Sequence, residues 1–193
     1  MINDQMNKIY FPLHMNDLQA RLNFKRIDEE EIEIGGAKVS VMFVNHPSFA
    51  IGYRISQNGK SLVYISDNEP FDPDVAQSLR NVDERIVREY TRSEGDSNQR
   101  LYDFVRGADL LIHDATYTPE EYAERNGWGH SPYTFTLKVA AKGNVKHLIL
   151  FHHDPSHTDV DLDAIYAKVK TEMQTQKYTF ECTSAMEGME LVL

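Results

Sequence analysis

The spacing of hydrophobic positions changes period along the chain. Three short runs rich in β-branched and aromatic residues come first: 38–44 (KVSVMFV), 49–55 (FAIGYRI) and 61–66 (SLVYIS). Their length, and the Asn58-Gly59 turn between the second and third, predict successive antiparallel strands. Val75, Leu79, Val82, Ile86 and Tyr90 then recur at helical spacing, followed by a polar break, SEGDSN. Two near-continuous apolar runs, 108–115 (ADLLIHDA) and 146–152 (KHLILFH), have the pattern of strands covered on both faces, and each carries a His or Asp at its end. Between them, Thr118-Pro119-Glu120-Glu121 offers a capping hydroxyl, a proline at the first helical position and a glutamate three residues after the cap, so a helix starts there. A second helix is predicted over 159–176, with Leu162, Ile165, Tyr166, Val169 and Met173 on one face. Short strand candidates at 178–182 and 189–193 close the chain. Strands alternating with helices predict an α/β layered architecture. No repeat, low-complexity tract or linker divides residues 1–193, which read as a single domain.

Composition narrows the function classes. A hydrophobic content of 41% fits a globular core. No run reaches the 18 or so apolar residues that span a bilayer, and MINDQMNKIY lacks the apolar core of a secretory signal, so the expectation is a cytoplasmic protein with no membrane contact. The single Cys182 allows neither an internal disulfide nor a thiolate zinc cluster, and reads as a small buried hydrophobe. A formal charge of -10 argues against nonspecific binding to duplex nucleic acid, which relies on Lys and Arg neutralising phosphates. Five of the eight histidines (His130, His147, His152, His153 and His157) fall close together, which invites a search for metal chemistry.

The candidate residues sit at strand ends or in the loops after them: His46, Asp67, Asp114 and His152. Imidazole with carboxylate is a suitable ligand set for zinc, manganese or iron. Each also has a plainer reading, Asp67 and Asp114 as turn or helix caps and His46 as part of a turn before Pro47. In Gly127-Trp128-Gly129-His130-Ser131-Pro132, two glycines allow a tight path that presents His130 from a loop, where it can serve as a general acid. The alternative is that Trp128 anchors this loop in the core and His130 merely bonds a backbone carbonyl. In His152-His153-Asp154, side chains of a continuing strand alternate faces, so only one of the two histidines should be a ligand. Asp154 would orient the ligating ring through its second nitrogen, and His157 reads as a surface or capping residue.

Taken in order, NHPSFAIGYRI, LVYISDNEP, GADLLIHDATYTPEEY, GWGHSPY and VKHLILFHHDPSHTD resemble the metal-dependent hydrolases of the metallo-β-lactamase fold, in the ribonuclease Z-like and cyclic-nucleotide-phosphodiesterase-like branch. The resemblance covers residues 5–182. It implies an αββα sandwich of which this chain holds the C-terminal two-thirds. By position, it implies His46, Asp67 and His152 as metal ligands, with Asp67 bridging two metals and acting in catalysis. His130 matches the loop histidine that protonates the leaving group. Asp114 matches an acidic residue behind the site, in a supporting role with His153 and Asp154. The implied reaction is hydrolysis of a small phosphodiester or nucleotide-like substrate by metal-bound hydroxide, the divalent metal being zinc, with manganese or iron as alternatives.

One departure matters. The family carries an H-x-H-x-D-H motif upstream of these strings, and the sequence contains no H-x-H at all; the nearest candidate, His14, stands alone. The segment 6–24 resembles the region that follows the motif, so the chain reads as N-terminally truncated relative to the family. Weak or partial metal occupancy is therefore expected, together with low or no activity unless a complementing N-terminal segment supplies the motif. An incomplete sandwich would also leave an apolar face or open edge, which predicts a homo-oligomer. The competing reading is a noncatalytic remnant or interaction module of the same fold.

Overall fold

The computed structural model describes residues 17–24, 27, 30–72 and 96–193. The helix predicted over 75–90 and His14 lie outside the described residues. Seven strands form one sheet in chain order: β1 (Glu31–Ile34), β2 (Ala37–Phe43), β3 (Ile51–Gln57), β4 (Lys60–Ile65), β5 (Leu110–Asp114), β6 (His147–Phe151) and β7 (Glu181–Ser184). The described helices are α1 (Gln99–Val105), α2 (Pro119–Glu124), α3 (Tyr133–Lys142) and α4 (Asp159–Gln176).

The first four strands are antiparallel neighbours, joined at β1–β2 by Gly35-Gly36 and at β3–β4 by Asn58-Gly59. All four turn residues have positive φ, the requirement of a type I′ hairpin turn. From β4 to β7 the pairing is parallel, and parallel neighbours need crossovers such as those carrying α3 and α4. Strand β4 buries Ser61, Val63 and Ile65 in alternation, which fixes its register. The core lies where α1 (Leu101, Tyr102, Val105), α3 (Leu137, Val139, Ala140) and Val169 of α4 meet Val63, Ile65, Leu111, Leu148 and Leu150 of the sheet. Each fully buried aliphatic side chain contributes on the order of 1.5–3 kcal/mol.

Helices α2 and α4 begin at capping boxes, Thr118 with Glu121 and Thr158 with Asp161. Helix α3 begins after Pro132. Lys177, left-handed at φ 56, ends α4, and Tyr178 stacks on Phe180 before β7 begins at Glu181, three residues later than the spacing predicts. No strand forms at 189–193. The hairpin strand β1 was not anticipated, because EIEI alternates acids with only two isoleucines, of which Ile34 stays 61% exposed. Helix α1 was missed because its seven residues follow a polar break and are too short for a clear period. Burial pushes the Cys182 thiol up to about 12, so no reactive thiolate is present at neutral pH. Among the described residues no helix is long and apolar enough to cross a membrane.

Topology sets the site. Strands β4, β5 and β6 run parallel with Ile65, His113 and Leu150 in register, so the residues just beyond them open onto one rim. Two reversals separate β2 from β4, so β2 also ends at that rim. His46, Asp67, Asp114 and His152 thereby reach a common edge from four strands.

Candidate metal centre

Ligand atoms of His46, Asp67 and His130 lie within 4.8 Å of one another, as do those of Asp114, His130 and His152. His130 is common to both groups. Its ring stacks on His152 at 4.6 Å and meets His46 edge-on at 5.7 Å. His152 Nε2 faces Asp67 Oδ1 at 3.5 Å, and the second Asp67 oxygen accepts from the Ser66 hydroxyl.

Asp114 is the hub that holds these loops. It is fully buried; Oδ1 accepts from the Thr116 and Ser131 amides and from the Thr116 hydroxyl, and Oδ2 accepts from the Asn68 amide and from His130 Nδ1 at 2.8 Å. The hydrogen bond to Asp114 holds the His130 pKa above its ordinary value; burial opposes it, and the charges of Asp114, Asp67 and Glu69 add to it. His130 is therefore cationic over a wider pH range than a free imidazole, with Nε2 turned away from Asp114.

His152 sits at φ 61, an uncommon conformation for a side chain with a Cβ, costing on the order of 1–2 kcal/mol. Strand β6 ends at Phe151, and this left-handed turn separates the two neighbouring rings. His152 faces Asp67 while His153 Nε2 meets the Ser184 hydroxyl at 3.2 Å. The separation thus comes from a turn and not from strand alternation. The Thr116 hydroxyl lies 2.7 Å from both Asp114 Oδ1 and the His152 carbonyl, and 3.1 Å from His152 Nδ1. Its one proton goes to an oxygen, so the third contact suits the His152 tautomer that donates from Nδ1 and keeps a lone pair on Nε2.

That position had been given to Asp154, and the structure corrects it. The Asp154 carboxylate accepts from the amide and hydroxyl of Ser156, which hold its pKa below the usual range. A short Asx turn satisfies it locally, so it does not reach the ring. His157 is also corrected: its side chain is 10% exposed and Nε2 meets Glu121 Oε1 at 2.7 Å, while Thr158 serves as the cap.

The loop before His130 departs from its plainer reading in both respects. Trp128 is 62% exposed, so it does not anchor the loop in the core, and His130 bonds a carboxylate and not a backbone carbonyl. The anchor is Glu69, which the sequence reading missed: 4% exposed, it accepts from the amides of Gly127 at 2.5 Å and Gly129 at 2.9 Å. Ser131 Oγ donates to the Asn68 carbonyl beside it. Gly129, at φ 95, presses its backbone on His46; a Cβ there would lie 2.3 Å from the ring. A Gly-x-Gly stretch does signal amides in need of an acceptor, but nothing local in the sequence names which carboxylate supplies it.

The donor set suits a divalent cation. His130 and His152 have Nδ1 set against Asp114 and Thr116, and His46 Nδ1 accepts from the Ser48 amide at 3.1 Å. In the tautomer that donates from Nδ1, His152 turns its Nε2 lone pair toward Asp67 Oδ1, 3.5 Å away, the arrangement in which outer groups orient metal-binding imidazoles. Three protein ligands are the usual number at an open zinc site.

Solved structures with this fold define the class. The metallo-β-lactamase-fold protein YhfI from Bacillus subtilis aligns with 83% of this chain at a TM-score of 0.58 and 16% identity, and a diphosphatase of the PhnP family aligns with 93% at 0.54 and 20% identity; each alignment covers 52% of the other chain. The chain has the metallo-β-lactamase fold. Within it, the sequence is ribonuclease Z-like: it is 25% identical to the ribonuclease Z of Thermoplasma acidophilum over 93% of this chain, and 47% identical to that of Prochlorococcus marinus over 53 residues. The chain spans 61% of the length of the Thermoplasma relative. No family model matches it.

Proposed function

We propose that this chain carries the metal-dependent hydrolytic site of a phosphodiesterase, acting on a small phosphodiester or nucleotide-like substrate in the cytoplasm. The observation that carries the proposal is the convergence of His46, Asp67, His130 and His152, which form two groups of potential ligand atoms sharing His130, with His152 Nε2 facing Asp67. Similarity to ribonuclease Z supports the hydrolase reading, and a diphosphatase neighbour is consistent with chemistry at phosphorus. His46, Asp67 and His152 are the residues that would hold the metal, zinc first and manganese or iron as alternatives. A divalent ion supplies an activated water and stabilises charge developing on phosphoryl oxygens. His130, kept protonated by Asp114, gives its Nε2 proton to the departing oxygen and is restored from solvent. Asp114 fixes the ring orientation, and Glu69 fixes the loop.

The sequence holds no H-x-H. We therefore propose that full occupancy requires ligands from a complementing segment that carries the motif. Two other readings rest on specific observations. His130 completes a three-ligand set with His46 and Asp67, which favours a ligand role in the free chain. The missing motif favours a noncatalytic module.

Turnover of an activated aryl phosphodiester and of a nucleoside phosphodiester by the chain complemented with a segment carrying H-x-H-x-D-H, with zinc or manganese added, separates the three. Metal-dependent turnover that Asp67→Asn abolishes is expected. His130→Ala should slow it by roughly 10²- to 10⁴-fold with metal content unchanged, and less for the aryl substrate, whose leaving group needs little protonation. Loss of metal in His130→Ala would make it a ligand. Absence of metal-dependent turnover for both substrates would leave the noncatalytic reading.

A further inference from the structure

The geometry points to Trp128 as a stacking platform for the base of a nucleotide, set beside the metal centre; this inference rests on the phosphodiester reading above. Trp128 is the chain's one tryptophan, and 62% of it is exposed. A ring of this size is usually well buried, because it carries the largest apolar surface of any side chain.

Slack backbone does not explain the exposure. The amides on either side, Gly127 and Gly129, donate to the buried Glu69 carboxylate, and the Trp128 amide donates to the Arg125 carbonyl at 3.1 Å. The exposed ring is therefore borne by three consecutive amides that are all hydrogen-bonded. A platform ordered in the free protein loses little entropy when a ligand arrives, which is how rigid aromatic side chains serve binding sites.

Its position is specific. Gly129, the next residue, packs on the rings of His46 and Pro47, and His130 follows, so the Trp128 Cα lies at most about 7 Å from that of His130. This reach is of the kind that separates phosphate from base within one nucleotide. A phosphate held at the metal centre places its base over this loop.

The surroundings favour a single flat ring over a protein partner. Glu124 and Asn126, close to Trp128 in the chain, are exposed and polar, so this loop presents its indole among polar neighbours in sequence. Stacking between such a ring and a base leaves the polar edges of the base in water and tolerates any base. The neighbouring aromatic, Tyr117, cannot substitute: it is buried, edge-on to His130 and covered by the Arg125 guanidinium.

Because the chain has one tryptophan, its fluorescence reports this position alone. The full chain is titrated with adenosine, adenosine 5′-monophosphate and ribose 5-phosphate, following emission and, in parallel, calorimetric affinity. Quenching by adenosine and by its monophosphate, with the phosphate ester binding more tightly, is expected; ribose 5-phosphate should leave emission unchanged. Trp128→Ala should weaken the monophosphate by about 5- to 100-fold, to near the affinity of ribose 5-phosphate, while Trp128→Phe keeps most of the binding. Equal affinity in Trp128→Ala, quenching by ribose 5-phosphate as strong as by the monophosphate, or no binding of either base-bearing ligand would overturn the assignment. Failure of the hydrolase reading looks different: metal-dependent turnover is absent while adenosine still quenches.

Discussion

The two rims of the sheet hold their carboxylates in opposite ways. Where β4, β5 and β6 begin, Asp109 accepts the Ser61 amide at 2.8 Å and the Lys146 ammonium at 2.7 Å, and Arg54 donates to the carbonyls of Phe104 and Arg106. Positive and negative groups there answer one another. Where the same strands end, Asp114 and Glu69 are buried and held by amides, a hydroxyl and one imidazole, and Asp67 faces His152. Among the described residues no Lys or Arg pairs with any of these three. Burying carboxylates without a fixed cation costs stability unless every oxygen is hydrogen-bonded, and here nearly all are. The far rim is electrostatically closed; the site rim keeps an excess of negative charge and free imidazole nitrogens, as a cation site requires.

Removing one carboxylate from each rim should expose the contrast in stability. Asp114→Ala leaves the buried amides of Asn68, Thr116 and Ser131 without an acceptor and should cost at least about 3 kcal/mol. Asp109→Ala frees an exposed lysine and one amide, at about 1 kcal/mol. Urea unfolding of both variants tests this, and equal losses would remove the distinction between the rims.

A smaller effect concerns acid. The Lys146 hydrogen bond, with that of the Ser61 amide, lowers the Asp109 pKa below its ordinary 3.8. The folded pKa is the lower one, so the stabilisation is present above about pH 4 and disappears as pH falls through the folded value. Parent and Asp109→Asn should therefore differ at neutral pH and converge in acid, the difference shrinking as pH falls below about 4 and through the folded value. A difference that stays constant over that range would show that Asp109 stabilises by packing alone.

The parts of this arrangement that the sequence discloses are those with a period or a strong local signal. The strand runs ending at Asp67, Asp114 and His152, the Thr118 capping box and helix α4 over Asp159–Gln176 all announce themselves through spacing. The residues that orient the site do not. Glu69 meets amides some 60 positions away, and Thr116 reaches His152 only because β5 and β6 are neighbours. Asp154 misled for the same reason: adjacency in sequence suggested a partner for the ring, whereas its own turn satisfied it. The left-handed turn at His152 leaves little trace in residue type: histidine tolerates positive φ better than most residues with a Cβ, but only a small minority adopt it.

The central claim, that the site rim is a metal centre, is tested most directly by calorimetric titration of zinc into the chelator-treated chain and into Asp67→Asn. The parent is expected to bind reversibly at a single weak site, less than one equivalent surviving dialysis, because the three-ligand groups here lack the H-x-H partners. Asp67→Asn should weaken that binding at least about tenfold while unfolding within about 0.5 kcal/mol of the parent, since the side chain is 33% exposed and lies outside the core. Identical zinc isotherms for the parent and Asp67→Asn, or no binding by the parent at all, would contradict the account.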